Sequence, residues 1–184
     1  QNDRLYVLYW GDQQQDPDRW VEAWLDSNTF KAREEWRGDV RFVTYAVPRV
    51  MSDEIQTPTN VVFDDKIRLN GYTVNADQLQ PNDVIQLTLF WEAIAPVQNR
   101  YKLFVHLLSA ESHVPIAQKD SEPMTAEWDI GTTFVSNVGV LVPANALGSH
   151  RLSIGWYDAL DPTRRLITET GADALPVTTI EIIP

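Results

Sequence analysis

Alternation of apolar and polar positions dominates the last two thirds of the chain. Between Gly148 and Asp158, Leu152, Ile154 and Trp156 alternate with Arg151, Ser153 and Gly155, the period of a strand with one face on a core and one on solvent. Gly148 opens this stretch as a turn residue, and Asp158-Ala159-Leu160-Asp161-Pro162 closes it with loop chemistry. The same period recurs upstream. Ile85, Leu87, Leu89 and Trp91 share one face after the turn Pro81-Asn82-Asp83, and Tyr101, Leu103, Val105 and Leu107 share a face opposite Phe104, His106 and Leu108. Ile67 and Leu69 are separated from Tyr72 and Val74 by Asn70-Gly71, which predicts a bulge or bend. Further strands are expected at Val114 to Lys119, Val138 to Val142, Arg165 to Thr168 and Val177 to Ile183, with 120–132 a long loop. Short strands at turn spacing with no helical period between them predict a sandwich or jelly roll.

The first 48 residues have a different rhythm. Leu5-Tyr6-Val7-Leu8-Tyr9-Trp10 is a near-continuous apolar run, the pattern of a strand covered on both faces. Asp16-Pro17 is a helix start signal. Trp20, Val21, Trp24 and Leu25 then fall on one helical face, and the helix is expected to end at 26–28. Trp20 and Trp24 are assigned to core or inter-domain packing. Lys31 to Glu35 are good helix formers, but Phe30, Ala32, Glu34 and Trp36 alternate before Arg37-Gly38-Asp39 and the β-rich run Val40 to Val47, so a hairpin is preferred. Arg37-Gly38-Asp39 reads as its turn rather than as an adhesion motif. The order β-α-β-β suggests the end of an α/β unit whose earlier strands precede this chain.

Together these patterns predict a mainly β protein: a β-sandwich, jelly-roll or immunoglobulin-like, of about eight strands, preceded by a small β-α-β-β unit. The unit is placed at 1–48, a Pro-containing linker at 49–60 and the sandwich at 61–184. A chain of 184 residues with 43% hydrophobic and 22% charged content can bury one sizeable core. The formal charge of -11, with acidic residues outnumbering basic ones in both parts, excludes the basic face a nucleic-acid partner requires. There are no cysteines, which removes disulfides, thiolate catalysis and cysteine metal sites together. No apolar run approaches the roughly 20 residues of a membrane span. The start at Gln1, without Met or a signal-like segment, leads to the expectation of a fragment whose preceding part holds membrane spans or a signal.

Candidate chemistry is sparse. His106, His113 and His150 make no HxH or HExxH spacing, and His106 is assigned to the core or its rim. No GxSxG, phosphate-binding loop or dinucleotide turn occurs. Asp64-Asp65, Asp120, Glu122, Glu127, Asp129, Asp158 and Asp161 lie in expected loops. There they serve as turn residues, as a glycosidase pair that only the fold can space, or as loop ligands of a calcium ion that no DxDxDG pattern supports. No catalytic residue, metal site or cofactor is assigned. Aromatic side chains are the better binding candidates, because sugars present C–H faces that stack on rings. Trp128 is the first choice, flanked by Glu127 and Asp129, with Asp120 at the head of the same loop. Trp91 and Trp156 run in phase with core positions and are assigned to packing.

Several segments carry a family likeness: Tyr9-Trp10-Gly11-Asp12 with Asp16-Pro17-Asp18-Arg19-Trp20, then Ile67-Arg68-Leu69-Asn70-Gly71-Tyr72, Leu87-Thr88-Leu89-Phe90-Trp91, Phe104-Val105-His106-Leu107-Leu108, Ala117-Gln118-Lys119-Asp120 and Ile154-Gly155-Trp156-Tyr157-Asp158. In these the chain resembles the C-terminal extracytoplasmic region of bacterial membrane glycosyltransferases related to the dolichyl-phosphate-mannose protein mannosyltransferases. The resemblance covers nearly the whole chain and implies a place on the extracytoplasmic face of the membrane, as part of a larger membrane-embedded parent. In such transferases the catalytic acidic residue lies in a loop between N-terminal membrane helices. No stretch here corresponds to that loop, so the fragment is expected to be inactive alone. The expected function is a non-catalytic accessory domain that binds or positions acceptor glycan or protein, or supports the catalytic part. A stand-alone glycan hydrolase using loop carboxylates and a purely structural spacer are the alternatives.

Overall fold

The computed structural model describes residues 3–11, 16–48, 54–109 and 114–184. The expected polar loop at 12–15, the part of the linker at 49–53 and the hairpin turn holding His113 lie outside the described residues. Two sheets account for most of the rest. The larger runs β1 (Asp3–Tyr9), β3 (Val40–Val47), β2 (Phe30–Arg37), β10 (Thr133–Leu141), β7 (Val84–Ala93), β5 (Ile67–Val74) and β4 (Thr57–Phe63). The smaller runs β6 (Gln78–Leu79), β12 (Leu175–Ile182), β11 (Gly148–Asp158), β8 (Tyr101–Ser109) and β9 (Pro115–Ser121). One helix, α1 (Trp20–Asn28), and a short 3-10 turn, Thr125–Glu127, complete the described elements.

The protein is a β-sandwich, as the alternating pattern predicts. Ile85, Leu87, Leu89 and Trp91 from one sheet meet Leu103, Val105, Leu107, Leu152, Ile154 and Trp156 from the other in a single buried cluster. At its centre Trp91 and Trp156 lie edge to face with centroids 4.9 Å apart, a favoured aromatic geometry. Tyr72 crosses between the layers and donates to the carbonyl of Val177 at 2.6 Å. The register of β5 on β7 shifts between Leu69 and Gly71, which is the bulge that Asn70-Gly71 suggested. Gly155 has a packing reason to lack a side chain: a Cβ there would enter the Phe104 ring and stand 2.8 Å from the carbonyl of Asp173.

Two expected boundaries move. Residues 57–60, read as linker, begin β4, where Thr57 pairs with Tyr72 and Pro58 with Gly71. A proline is tolerated because β4 ends the order of this sheet and, among the described residues, its only other pairing is the isolated bridge from Phe63 to Thr168. Arg165 to Thr168 forms no strand, only isolated bridges from Arg165 to Tyr157 and from Thr168 to Phe63. Turns closed by Arg164 N–H to the Asp161 carbonyl and Gly171 N–H to the Thr168 carbonyl use the neighbouring backbone instead.

The N-terminal elements follow the expected order β1, α1, β2, β3, but they extend the sandwich's larger sheet. The ladders β1 to β3 and β3 to β2 are antiparallel, and β2 meets β10 in parallel at Lys31 opposite Val138. That junction depends on small residues, since a Cβ on Gly139 would lie 3.0 Å from the Phe30 carbonyl and 3.1 Å from the Cα of Ala32. Phe30, Ala32, Ala46 and Val84 pack across it, and Arg4 donates to the carbonyl of Asn82 in the sandwich. The apolar run of β1 is not covered on both faces. Val7 and Tyr9 turn toward α1 and its cluster with Leu25, Val43 and Tyr45, whereas Leu5, Tyr6, Leu8 and Trp10 are exposed. The cause is position: β1 is at the sheet edge, and α1 shields one face only.

Candidate functional site

The loop that carries the predicted binding residues is tied closely to the sandwich. Thr125 is fully buried, accepts from the Tyr101 N–H and donates to the Asn99 carbonyl, both at 3.0 Å. Gly131 N–H donates to Ala93 at 2.8 Å. Trp128 is half-buried, with one ring face stacked on Phe134 at 4.4 Å and 7° and its ring edge-to-face with Trp156 at 5.9 Å. Glu127 and Asp129 beside it are exposed. Asp120 is not drawn to them. It sits on β9, where it accepts a hydrogen bond from the Tyr157 hydroxyl at 2.8 Å, beside the ring group of Phe104, His106 and Tyr157. This group lies on the face of the smaller sheet opposite the core residues Leu103, Val105 and Leu107.

Of the other loop carboxylates, Glu122 pairs with Arg100 and Lys102, and three are engaged in turns. Asp64 accepts from Ile167 N–H, Asp158 from Leu160 N–H and the Asn99 amide, and Asp161 from the backbone and hydroxyl of Thr163. Among the described residues no group of three or more His, Asp and Glu side chains is placed to hold a metal ion. His106 is half-buried against Phe104, and burial lowers its pKa, with Asp120 opposing and Arg165 reinforcing the shift. His150 is buried and bonds the Leu147 carbonyl through Nε2.

The N-terminal unit holds the surface that sequence reasoning missed. α1 starts at Trp20 with Arg19 at its N-cap, three residues later than an N-cap at Asp16 and a first helical position at Pro17 predict, yet the Asp16 carboxylate still accepts from the N–H groups of Trp20 at 2.8 Å and Val21 at 2.9 Å. The helix is nevertheless turned the other way. Its buried side chains are Glu22 and Leu25. Glu22 takes Arg41 Nη2 at 2.5 Å and Nη1 at 2.9 Å, Arg19 at 2.5 Å and Lys31 at 2.8 Å. Burial would raise its pKa, but hydrogen bonds from Arg41, Lys31 and Arg19 outweigh it and hold the carboxyl down at about 2. Lys31 also bonds Asp26 at 2.8 Å, and Tyr45 donates to Asp26 at 3.2 Å. With Glu22 facing inward, positions 20 and 24 must face outward. Trp20 and Trp24, expected in packing, are 71% and 54% exposed.

Two more exposed tryptophans sit at the end of the hairpin farthest from the sandwich. The junction with β10 is at Lys31, whereas Tyr9, Trp36 and Arg41 share the register at the opposite end, next to the Gly38-Asp39 turn. Trp10 and Trp36 are 69% and 61% exposed, yet neither is without polar neighbours. Trp10 donates to Asp39 at 3.1 Å, and Arg41 lies 4.4 Å above the Tyr9 ring and 5.7 Å from the Trp36 ring. On the sheet face away from the helix, a groove of about 300 Å³ is lined by Tyr6, Leu8, Phe42, Thr44 and the ion pair of Arg33 with Glu35. The available sequence signal was the inward set itself: Glu22 and Leu25, three apart, lie on one side of α1 opposite Trp20 and Trp24.

In sequence, no family model matches the chain and no curated protein does. Among solved structures, the chain is similar to a Niemann-Pick type C2 protein from the Japanese carpenter ant, at 9% identity over 72% of this chain and 100% of that one, with a TM-score of 0.40. It is also similar to the sporulation control protein Spo0M of Bacillus subtilis, at 12% identity over 68% of this chain and 50% of Spo0M, with a TM-score of 0.36. A third likeness is to a CARDB domain from Pyrococcus furiosus, solved with di-metal ions, at 8% identity over 74% of this chain and 100% of that one, with a TM-score of 0.35. At this distance they carry no argument about ligand or activity.

Proposed function

We propose that this chain is a non-catalytic accessory domain from the extracytoplasmic part of a membrane glycosyltransferase, and that its N-terminal unit binds acceptor glycan. The observation that carries the reading is the display of Trp10, Trp20, Trp24 and Trp36 on one small unit, while Trp91 and Trp156 are wholly buried. Exposed indole rings match the C–H faces of sugars, and neighbouring carboxylates and guanidinium groups match their hydroxyls. Trp10 is held to Asp39 and Trp36 neighbours Arg41, so part of the ordering cost of binding is met before a ligand arrives. Carboxylates interleaved with the rings favour a neutral or amine-bearing sugar over an anionic one. The non-catalytic part of the reading rests on the family resemblance and on the turn-capping roles of Asp64, Asp158 and Asp161.

The loop at Trp128, with Glu127, Asp129 and the more distant Asp120, is the second place for the same chemistry. Titration with cell-envelope glycans and mannose-type oligosaccharides, followed by tryptophan fluorescence and calorimetry, separates the two. Trp36→Ala or Trp10→Ala is expected to weaken binding about tenfold, the effect of roughly 1.4 kcal/mol, and Trp128→Ala to leave it unchanged. A loss confined to Trp128→Ala moves the site to the loop. No binding at millimolar sugar ends the glycan reading.

A further inference from the structure

The face of β1, β3 and β2 turned away from α1 carries two cross-strand rows. Tyr6 on β1 stands opposite Thr44 on β3, and Thr44 opposite Arg33 on β2; Leu8 stands opposite Phe42, and Phe42 opposite Glu35. These six residues line the groove of about 300 Å³, which therefore runs along β3 between an apolar wall and a charged one. Tyr6 is 70% exposed and Leu8 63%, at positions where a solvent-facing strand ordinarily carries polar side chains. On the other wall the Glu35 carboxylate pairs with Arg33 and lies 4.0 Å from Arg37, whose guanidinium stands 5.8 Å from the centre of the Phe42 ring. Toward the sandwich this face is filled: Phe30, Ala32, Ala46 and Val84 pack together, and Arg4 donates to the Asn82 carbonyl. Toward the Gly38-Asp39 turn it leads to Trp10, held to Asp39.

We propose that this groove is an oligosaccharide subsite: it takes the units of a neutral glycan chain that continue from the tip tryptophans, Trp10 and Trp36, and reads a pair of neighbouring hydroxyls on them. The inference rests on the glycan reading above and specifies it. A pyranose has an apolar C–H face and a hydroxyl edge, so it uses both walls at once. Its C–H face packs on Tyr6 and Leu8, while one hydroxyl donates to Glu35 and its neighbour accepts from Arg33. An acyl chain or an apolar peptide face would strip water from the ion pair and return no hydrogen bond. An anionic sugar would have to displace Glu35 from its arginines and approach a chain of formal charge -11. Tyr9 marks the tip end of β1, and Tyr6 lies three residues back along it, about 10 Å of strand. A single sugar at the tip therefore leaves the groove empty, and a chain of sugars fills it.

Calorimetric titration of the intact chain with methyl α-mannoside and with linear mannose oligosaccharides of increasing length tests this. Affinity is expected to rise about tenfold from the monosaccharide to the longest oligosaccharide. Tyr6→Ala or Glu35→Gln is expected to remove that gain while leaving monosaccharide binding and the circular dichroism spectrum unchanged, and Tyr6→Phe to retain it. Affinity independent of length overturns the inference, as does a gain that survives both Tyr6→Ala and Glu35→Gln. Tighter binding of a uronic-acid oligosaccharide of the same length overturns it in favour of an anionic ligand. Length-independent binding that Trp36→Ala still weakens removes the groove alone and leaves the glycan reading standing, whereas no binding of any sugar removes both.

Discussion

The seven tryptophans serve opposite purposes in the two regions of the molecule. In the sandwich, Trp91 and Trp156 are wholly buried and Trp128 is stacked on Phe134. In the N-terminal unit all four, Trp10, Trp20, Trp24 and Trp36, stand more than half exposed. Their surroundings differ in the same sense. The sandwich interior is an apolar cluster built from both sheets, whereas between α1 and the hairpin a small cluster of Tyr9, Leu25, Val43 and Tyr45 is joined by the buried ion pairs of Glu22 with Arg41 and Lys31. Buried ion pairs hold a helix in one orientation and release its aromatic face to solvent. The lesson is that aromatic density in a sequence reports neither core nor site until the polar groups have been assigned.

Substitutions can break this contrast, beginning with the largest effect. Trp156→Ala should cost about 4 kcal/mol of stability, read as a fall in the urea midpoint, while Trp20→Ala should stay within about 0.5 kcal/mol. Comparable losses in both would dissolve the comparison.

Glu22→Gln should cost roughly 3 kcal/mol, because it leaves buried Arg41 without its main counter-charge. The loss should appear first as faster amide exchange in α1. The same pair gives a pH signature. The Glu22 carboxyl ordinarily titrates near 4.5 and is held at about 2 in the fold. Its contribution is therefore fully present above about pH 5 and disappears as pH falls toward about 2. Wild-type and Glu22→Gln unfolding midpoints should converge across that window, and a constant gap would remove the electrostatic account.

A smaller effect, about 2 kcal/mol from overpacking, is expected for Gly139→Val, where a side chain meets Phe30 and Ala32. It should loosen the joint between the two regions and leave the Trp91–Trp156 core intact, as near-ultraviolet circular dichroism would show.

Much of this fold was legible because strand periodicity and core position are linked locally. Leu103, Val105 and Leu107, or Leu152, Ile154 and Trp156, alternate in the chain and enter the core as a set. The β2 to β3 hairpin was legible from Arg37-Gly38-Asp39, and the β5 bulge from Asn70-Gly71. Strand β4 was hidden, since its start at Thr57-Pro58-Thr59-Asn60 has loop composition and is held by pairing with β5. The joining of β2 to β10 was hidden too. One glycine and one alanine more than a hundred residues apart permit it, and neither marks a junction by itself.

Local pattern alone thus determined the sandwich, its core faces, the hairpin and the existence of α1. It did not determine which way α1 faces. The helix offers an aromatic side with Trp20 and Trp24 and a side carrying Glu22 and Leu25, and burial of the aromatic side is the better choice for an isolated amphipathic helix. Arg41 and Lys31 reverse that choice, because a carboxylate that receives several charge-assisted hydrogen bonds is stable where it would otherwise be excluded. Those partners arrive from β2 and β3, so the surface this protein presents exists only once the strands have assembled around Glu22.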